Sequence, residues 1–180
     1  MNYQPQKIPD IKLITPTVFG DERGFFMETF RLNEFQQHCG DFNFVQDNHS
    51  KSKKGILRGL HYQLKRPQGK LVRVTQGRVF DVVVDMRAKS PTFGQWVGTE
   101  LSAENKHQLW IPPGFAHGFY VLSDTAEFCY KCTDYYAPDD EHSVRWDDPT
   151  LAIDWPLDGE PVLSDKDTNA KMFQQAPAVA

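Results

Sequence analysis

Along this chain, apolar side chains recur at every second position more often than at helical spacing. In LVRVTQGRVFDVVVD (71–85), Val72 and Val74, then Phe80, Val82 and Val84, alternate with Arg73, Asp81 and Asp85, and the run breaks at Gln76-Gly77. A period of two is the signature of a half-buried strand, and a glycine-containing break between two such runs marks a hairpin turn. Further strands are predicted over residues 24–30, 95–101, 108–111, 118–122 and 126–134. One helix is predicted over 34–39, with Asn33 as N-cap and Gly40 just past its end. Short strands at this spacing, with proline and glycine as scattered punctuation, predict an all-β sandwich or barrel. The part after Trp146 is turn-rich and reads as an irregular return over that barrel.

Composition narrows this picture. A chain of 180 residues has room for one domain with a full core, so residues 1–180 are expected to form a single unit. Its 13 Phe, 6 Tyr and 4 Trp suit both a sheet-to-sheet core and a pocket that stacks on a flat ligand. No segment approaches the ~20 apolar residues needed to span a bilayer, and MNYQPQKIPDIKL lacks a secretory apolar region. Three cysteines, Cys39, Cys129 and Cys132, do not suggest a disulfide framework. Cys129 and Cys132 have the spacing of a redox motif, but such motifs work at a helix N-terminus. FCYKCTDYY reads as a strand, so these are expected to be buried strand cysteines. A cytoplasmic location is the expectation.

The net charge of −4 argues against binding a nucleic acid polymer. Its distribution says more. From Lys51 to Arg73 there are eight Lys or Arg residues and no Asp or Glu. A basic cluster in an acidic protein suits a small anion such as a diphosphate. Lys51, Lys53 and Lys54, in SKSKKG, read as a solvated loop, whereas Arg58 and Lys70 flank two motifs with chemical content.

The motifs are Gly55-Ile-Leu-Arg-Gly-Leu-His61-Tyr-Gln63, continuing to Lys70 and Gly77, and Pro112-Pro-Gly114-Phe-Ala-His117. Together they resemble the signatures of cupins, which implies a cupin-type jelly-roll barrel, here with short peripheral helices. Metal-binding cupins use three His and one Glu. Here Gln63 stands at the second His position and Lys70 where the Glu would be, after a slightly longer loop. A protonated amine cannot ligate a metal, and two histidines alone make a poor site, so no metal is expected. Lys70 supplies instead a fixed positive charge.

Longer strings narrow the resemblance. PTVFGDERGFFMETF (16–30), FVQDNHSKSKKGILRGLHYQ (44–63), IPPGFAHGFYVLS (111–123), YKCTDYYAP (130–138), RWDDPTLAIDWP (145–156) and LSDKD (163–167) resemble the dTDP-4-dehydrorhamnose 3,5-epimerase family. The match runs from about residue 8 to 167. It implies a thymidine-diphosphate sugar substrate with a ketone at C4, which acidifies the protons at C3 and C5. Inversion then needs a base on one face, a stabiliser for the enolate oxygen and an acid on the other face, with no redox cofactor.

His61 suits the base, because an imidazole titrates near neutrality. By resemblance, Asp167 orients and charges His61, Lys70 stabilises the enolate at O4, and Tyr130 is the acid on the opposite face. A phenol is protonated at neutral pH and so can donate. Without the resemblance, Asp167 would read as a surface turn residue and Tyr130 as core. Arg58 and His117 are expected to meet the diphosphate or the sugar. Arg23, Phe26, Glu28, Gln46 and Asn48 are expected to line the nucleotide pocket, the N-terminal ones reaching it from the neighbouring subunit of a homodimer. Glu141 and Lys166 are further substrate contacts, and Phe19 is either a base-stacking or a core residue. His38, His49, His107 and His142 read as surface or structural.

Three other readings compete. They are an epimerase acting at only one carbon or moving the ketone, a metal-dependent cupin oxygenase or isomerase, and a sugar-binding barrel without activity. Gln63 and Lys70 count against the second, and the combination of His61, Asp167 and Tyr130 against the third.

Overall fold

In the computed structural model, which describes residues 1–180, strands dominate the chain. Asn2–Pro5 (β1), Lys12–Thr15 (β2), Val18–Asp21 (β3) and Gly24–Met27 (β4) precede the helix Leu32–Cys39 (α1). Eight strands follow: Gln46–Lys53 (β5), Leu57–Gln63 (β6), Lys70–Gln76 (β7), Arg78–Asp85 (β8), Trp96–Ser102 (β9), Gln108–Ile111 (β10), Phe115–Val121 (β11) and Thr125–Cys132 (β12). The short strand Glu141–Ser143 (β13) and the four-residue helix Asp165–Thr168 (α2) complete the regular elements that matter below.

Pairing is nested. β8 pairs with β9, β7 with β10, β6 with β11 and β5 with β12, all antiparallel. Residues 46–132 thus fold back on themselves about the β8–β9 connection. The doubled ribbon then rolls up through the β7–β12 and β8–β11 contacts. That is the jelly-roll arrangement. It yields a six-stranded sheet, β1-β2-β10-β7-β12-β5, facing a five-stranded sheet, β13-β6-β11-β8-β9, with β3 and β4 as a separate ribbon.

Three apolar layers hold the sheets. Between them lie Val72, Val74, Val83, Leu109, Phe119 and Phe128, each nearly inaccessible. Outside the five-stranded sheet, Leu60, Val82, Val84 and Tyr120 are covered by Leu151, Trp155 and Val179 of the C-terminal return. Outside the six-stranded sheet, Ile14, Leu71 and Trp110 pack on Phe35 of α1. Burying a side chain of this size contributes roughly 1.5–3 kcal/mol, so both outer covers stabilise the barrel substantially. No helix is long and apolar enough to cross a membrane.

The all-β architecture and the tail's role as a cover match the sequence reading; several details differ. α1 begins at Leu32 rather than 34, and Asn33 Oδ1 accepts from Glu34 N inside the first turn instead of capping it. Docking of Phe35 on Trp110 (4.9 Å between ring centroids) draws the preceding turn into the helix. β4 stops at Met27, and Thr29 O accepts from the Gln108 side chain at 2.8 Å. β11 starts at Phe115, because Phe115 and Ala116 are already in register with Asp85 and Val84. SKSKKG is no loop: Lys51 and Lys53 belong to β5, where Lys51 pairs across to Glu127 at 3.1 Å.

The alternation read in β8 also needs correction. Val82 and Val84 are buried under the tail, yet Asp81 and Asp85 on the other face have no exposed surface either. Both faces of β8 are covered, so its acids are interior groups rather than solvated ones.

Candidate active site

A cavity of about 710 Å³ opens between the two sheets. Its first wall is set by a break in β-pairing. His61 is in register with His117, but Arg58, three residues earlier, is in register with Phe119. In a regular strand an offset of three sends side chains to opposite faces. The bulge between them turns both Arg58 and His61 into the cavity, while Leu57, Leu60 and Tyr62 pack outward. Glycine makes this crossing possible: a Cβ on Gly59 would lie 2.5 Å from Gly118 Cα, and one on Gly118 2.5 Å from Arg58 O.

His61 Nε2 lies 2.5 Å from Asp167 Oδ1. Asp167 comes from α2, whose N-cap Ser164 accepts from the Asp167 backbone N–H, and Asp167 Oδ2 faces Gly59 N at 3.5 Å. The imidazole is partly exposed, its carboxylate partner nearly buried. Burial pushes the Asp167 carboxyl up, but the hydrogen bond and charge of His61 outweigh it and hold the group below the usual carboxylate range. His117 makes a matching contact deeper down: its Nε2 is 2.9 Å from Asp81 Oδ2.

The second wall belongs to the six-stranded sheet. Tyr130 and Cys132 of β12, Lys70 of β7, and Gln46, Asn48 and Ser50 of β5 face the cavity. Burial pushes the Tyr130 phenol above its ordinary value, so it is a hydrogen-bond donor at neutral pH. Burial pushes the Lys70 ammonium down, opposed by Cys132, Glu141 and Asp81. Phe119 and Phe128 stack at 4.3 Å between centroids and supply an apolar floor. At the mouth, Glu141 takes Lys166 at 2.8 Å and the Tyr136 hydroxyl at 3.1 Å.

Ten of the residues singled out in the sequence line this one cavity: His61, Tyr130, Asp167, Lys70, Gln46, Asn48, Arg58, His117, Glu141 and Lys166. The other three do not reach it within this chain. Arg23 and Phe26 sit on the β3–β4 ribbon around a shallow depression with Phe19 and Phe25, and Glu28 pairs with Arg31 at 2.7 Å. Sequence reading missed Tyr136, which lies in a matched string, and Asp81. The signal for Asp81 was present: VFDVVVD is so continuously apolar that both of its faces should be covered. Cys132 is buried as expected, while Cys129 is only partly so.

The residues do not fit a cupin-type metal. At the four ligand positions stand His61, Gln63, Lys70 and His117. Gln63 commits its amide to backbone, donating to Arg66 O (2.7 Å) and Tyr135 O (3.3 Å) and accepting from Ala137 N (2.8 Å). No group of three His, Cys, Asp or Glu side chains converges to hold an ion.

A jelly-roll barrel with paired histidine and carboxylate, a buried phenol and an ammonium around one cavity has the build of a cupin-like isomerase acting on carbohydrates. Residues 5–175 match the family described as dTDP-4-dehydrorhamnose 3,5-epimerase. A protein of that description from Pseudomonas aeruginosa is 61% identical over 94% of both chains. A crystal structure of dTDP-6-deoxy-D-glucose-3,5-epimerase from Legionella pneumophila, in complex with dTDP-4-keto-L-rhamnose, is 55% identical with a TM-score of 0.96, covering 99% of this chain and 98% of that one. A 3'-monoepimerase from Streptomyces bikiniensis, in complex with dTDP-quinovose, is 40% identical with a TM-score of 0.89, covering 94% of this chain and 87% of that one. The chain belongs to the dTDP-4-dehydrorhamnose 3,5-epimerase family.

Proposed function

We propose that this protein inverts C3 and C5 of dTDP-4-dehydro-6-deoxy-D-glucose, giving dTDP-4-dehydro-L-rhamnose for dTDP-L-rhamnose biosynthesis. The observation that carries the mechanism is an imidazole and a phenol on opposite walls of one cavity. His61, 2.5 Å from Asp167, stands on the five-stranded sheet, and Tyr130 on the six-stranded sheet. His61 takes the proton next to the ketone. Asp167 orients the ring and stabilises the imidazolium that forms, a division of labour known from other histidine bases. The electron pair moves onto O4, where the Lys70 ammonium meets the developing negative charge. One such donor is worth roughly 3–4 kcal/mol of barrier. Tyr130 then returns a proton from the other face, and the carbon is inverted.

Arg58, a cation beside the base, suits the diphosphate, and Gln46 and Asn48 on the edge strand β5 suit the nucleoside. Glu141 and Lys166 close the mouth. The exposed aromatics of the β3–β4 ribbon, Phe19, Phe25 and Phe26, support a homodimer in which one subunit's Arg23, Phe26 and Glu28 complete its neighbour's nucleotide pocket. The single family match over 5–175 supports one functional unit over residues 1–180. Three free cysteines suit the reducing cytoplasm.

Incubation in D2O with the 4-keto sugar nucleotide, followed by NMR, tests the reaction. Deuterium at both C3 and C5 in an L-configured product is expected. Label at one carbon alone identifies a monoepimerase, and no label in folded, nucleotide-binding protein rejects the catalytic reading.

A further inference from the structure

Beneath the proposed base lies a second histidine–carboxylate pair to which the reaction as drawn assigns no task. Asp81 is in register with Phe119, and His117 with Val83, so the two are diagonal neighbours on one face of the β8–β11 pair. Asp81 has no exposed surface, and its Oδ2 is 2.9 Å from His117 Nε2. Its Oδ1 is the sole buried side-chain nitrogen or oxygen in the molecule without a hydrogen-bond partner. His117 Nδ1 bonds to no protein group and is not such a buried orphan, so it opens onto the cavity that His117 lines.

The protonation of this pair follows from the charge around it. Burial pushes His117 down; the charge and hydrogen bond of Asp81 oppose it, Lys70 and His61 add to it, and the net downward direction favours the neutral ring with one N–H. Burial pushes Asp81 up, opposed by His117 and Lys70. A buried anion is tolerable only beside a buried cation, and an ionised Asp81 with a protonated Lys70 leaves this floor electroneutral. The single imidazole hydrogen then sits between the ring and the carboxylate.

We propose that Asp81 is a positioning residue for the epimerisation: it holds His117 as the neutral Nε2–H tautomer, leaving the Nδ1 lone pair in the cavity to accept from a hydroxyl of the bound sugar. A diphosphate offers only acceptors and gains nothing from that lone pair. His117 therefore serves the sugar half of the site, and the diphosphate is left to the cations. The role assigned to the sugar rests on the epimerase reading above.

The tautomer is read from nitrogen-15 NMR of the ligand-free protein, with His117→Gln to assign the signals. A pyridine-like Nδ1 and a pyrrole-like Nε2 are expected, and a protonated Nδ1 overturns the proposal. Asp81→Leu removes the acceptor but leaves the buried Lys70 ammonium without its counter-ion, which costs stability, so thermal melting and dTDP binding first establish that the variant is folded. Its kcat should fall by about 10- to 100-fold with KM little changed, the usual loss on removing the outer partner of a histidine. Asp81→Asn, closer in shape, serves as the second variant. Full kcat in folded Asp81→Leu sinks the idea. Failure of the epimerase reading is separately visible, as wild-type protein that exchanges neither carbon, whereas the NMR signature needs no substrate.

Discussion

Burial and neighbouring charges together tune Asp167, Lys70 and Tyr130, and the tuning predicts how variants behave. Asp167 is held low by His61, so it stays ionised through the neutral range and His61 keeps a charged partner. Asp167→Asn removes that charge with little change of shape. Exchange at both C3 and C5 should fall together, by roughly 10²–10⁴-fold, the usual worth of a positioned base. Loss at one carbon alone would argue for two separate bases. Tyr130→Phe should leave proton abstraction intact but impair inversion at C5, visible as deuterium returned without a change of configuration. Alkaline pH separates the two groups on the second wall. The Lys70 ammonium is pushed down by burial and the Tyr130 phenol up. Activity carried by protonated Lys70 is present below its pKa and lost as pH rises through it, before Tyr130 ionises. The alkaline limb of the rate profile should therefore fall below the ordinary lysine value of about 10.4. In Lys70→Arg, which keeps its charge, any remaining activity should hold to higher pH.

At the scale of elements, the β6–β11 crossing and the turn after β8 decide placement and stability. A methyl group at Gly118 would meet Arg58 O at 2.5 Å and Gly59 Cα at 3.0 Å, and neither is a flexible side chain. Gly118→Ala should force the strands apart, costing about 1–3 kcal/mol. It should also cut activity more than stability alone explains, because His61 and Arg58 hang on that bulge. Calorimetry and kinetics on one preparation test this. After β8, Asp85 takes Arg87, Ser90 and Thr92, and although burial works against it, these bonds bring its carboxyl down to about 2. A folded-state value below the unfolded one stabilises above the unfolded pKa, and the benefit disappears as pH falls through the folded value. Asp85→Asn should be less stable by about 2 kcal/mol near pH 7, and the deficit should shrink between about pH 4 and pH 2. Denaturant titrations across that window check the sign.

For the whole molecule, the least satisfied surface is the β3–β4 ribbon, where Phe19, Phe25 and Phe26 are each more than 60% exposed. Aromatic surface of this extent on a two-stranded ribbon asks for a partner. The proposed dimer predicts a solution mass twice the 20.7 kDa of the chain by light scattering. Phe25→Ser/Phe26→Ser should shift it toward monomer and weaken nucleotide binding. A double variant that stays dimeric with undiminished affinity would show that the ribbon neither holds the dimer nor completes the site. The C-terminal return has the opposite character. Leu151, Trp155 and Val179 are buried against the five-stranded sheet, and the same stretch carries Asp167 to His61.

The division between what could be read along the chain and what could not follows from range. Period-two patterning revealed most central strands, since alternation needs only neighbours two residues apart. The spacing of His61, Gln63, Lys70 and His117 marked a barrel of this type and a site poor in metal ligands. Resemblance added Asp167 and Tyr130, which spacing alone would have left as a turn residue and a core aromatic. The sequence by itself thus determined the strand content, the chemical identity of the site's groups and the family. Only the tertiary structure decided which faces meet. Arg58 shares a wall with His61 through a bulge that Gly59 and Gly118 permit, and a bulge leaves no mark on hydrophobic period. Asp81 turned from a solvated residue into a buried one because its face of β8 lies between the sheets, beside His117 and Lys70, while the tail covers Val82 and Val84 on the other face. Local propensity acts over a few residues, while burial and the pairing of charge depend on what the rest of the chain brings alongside.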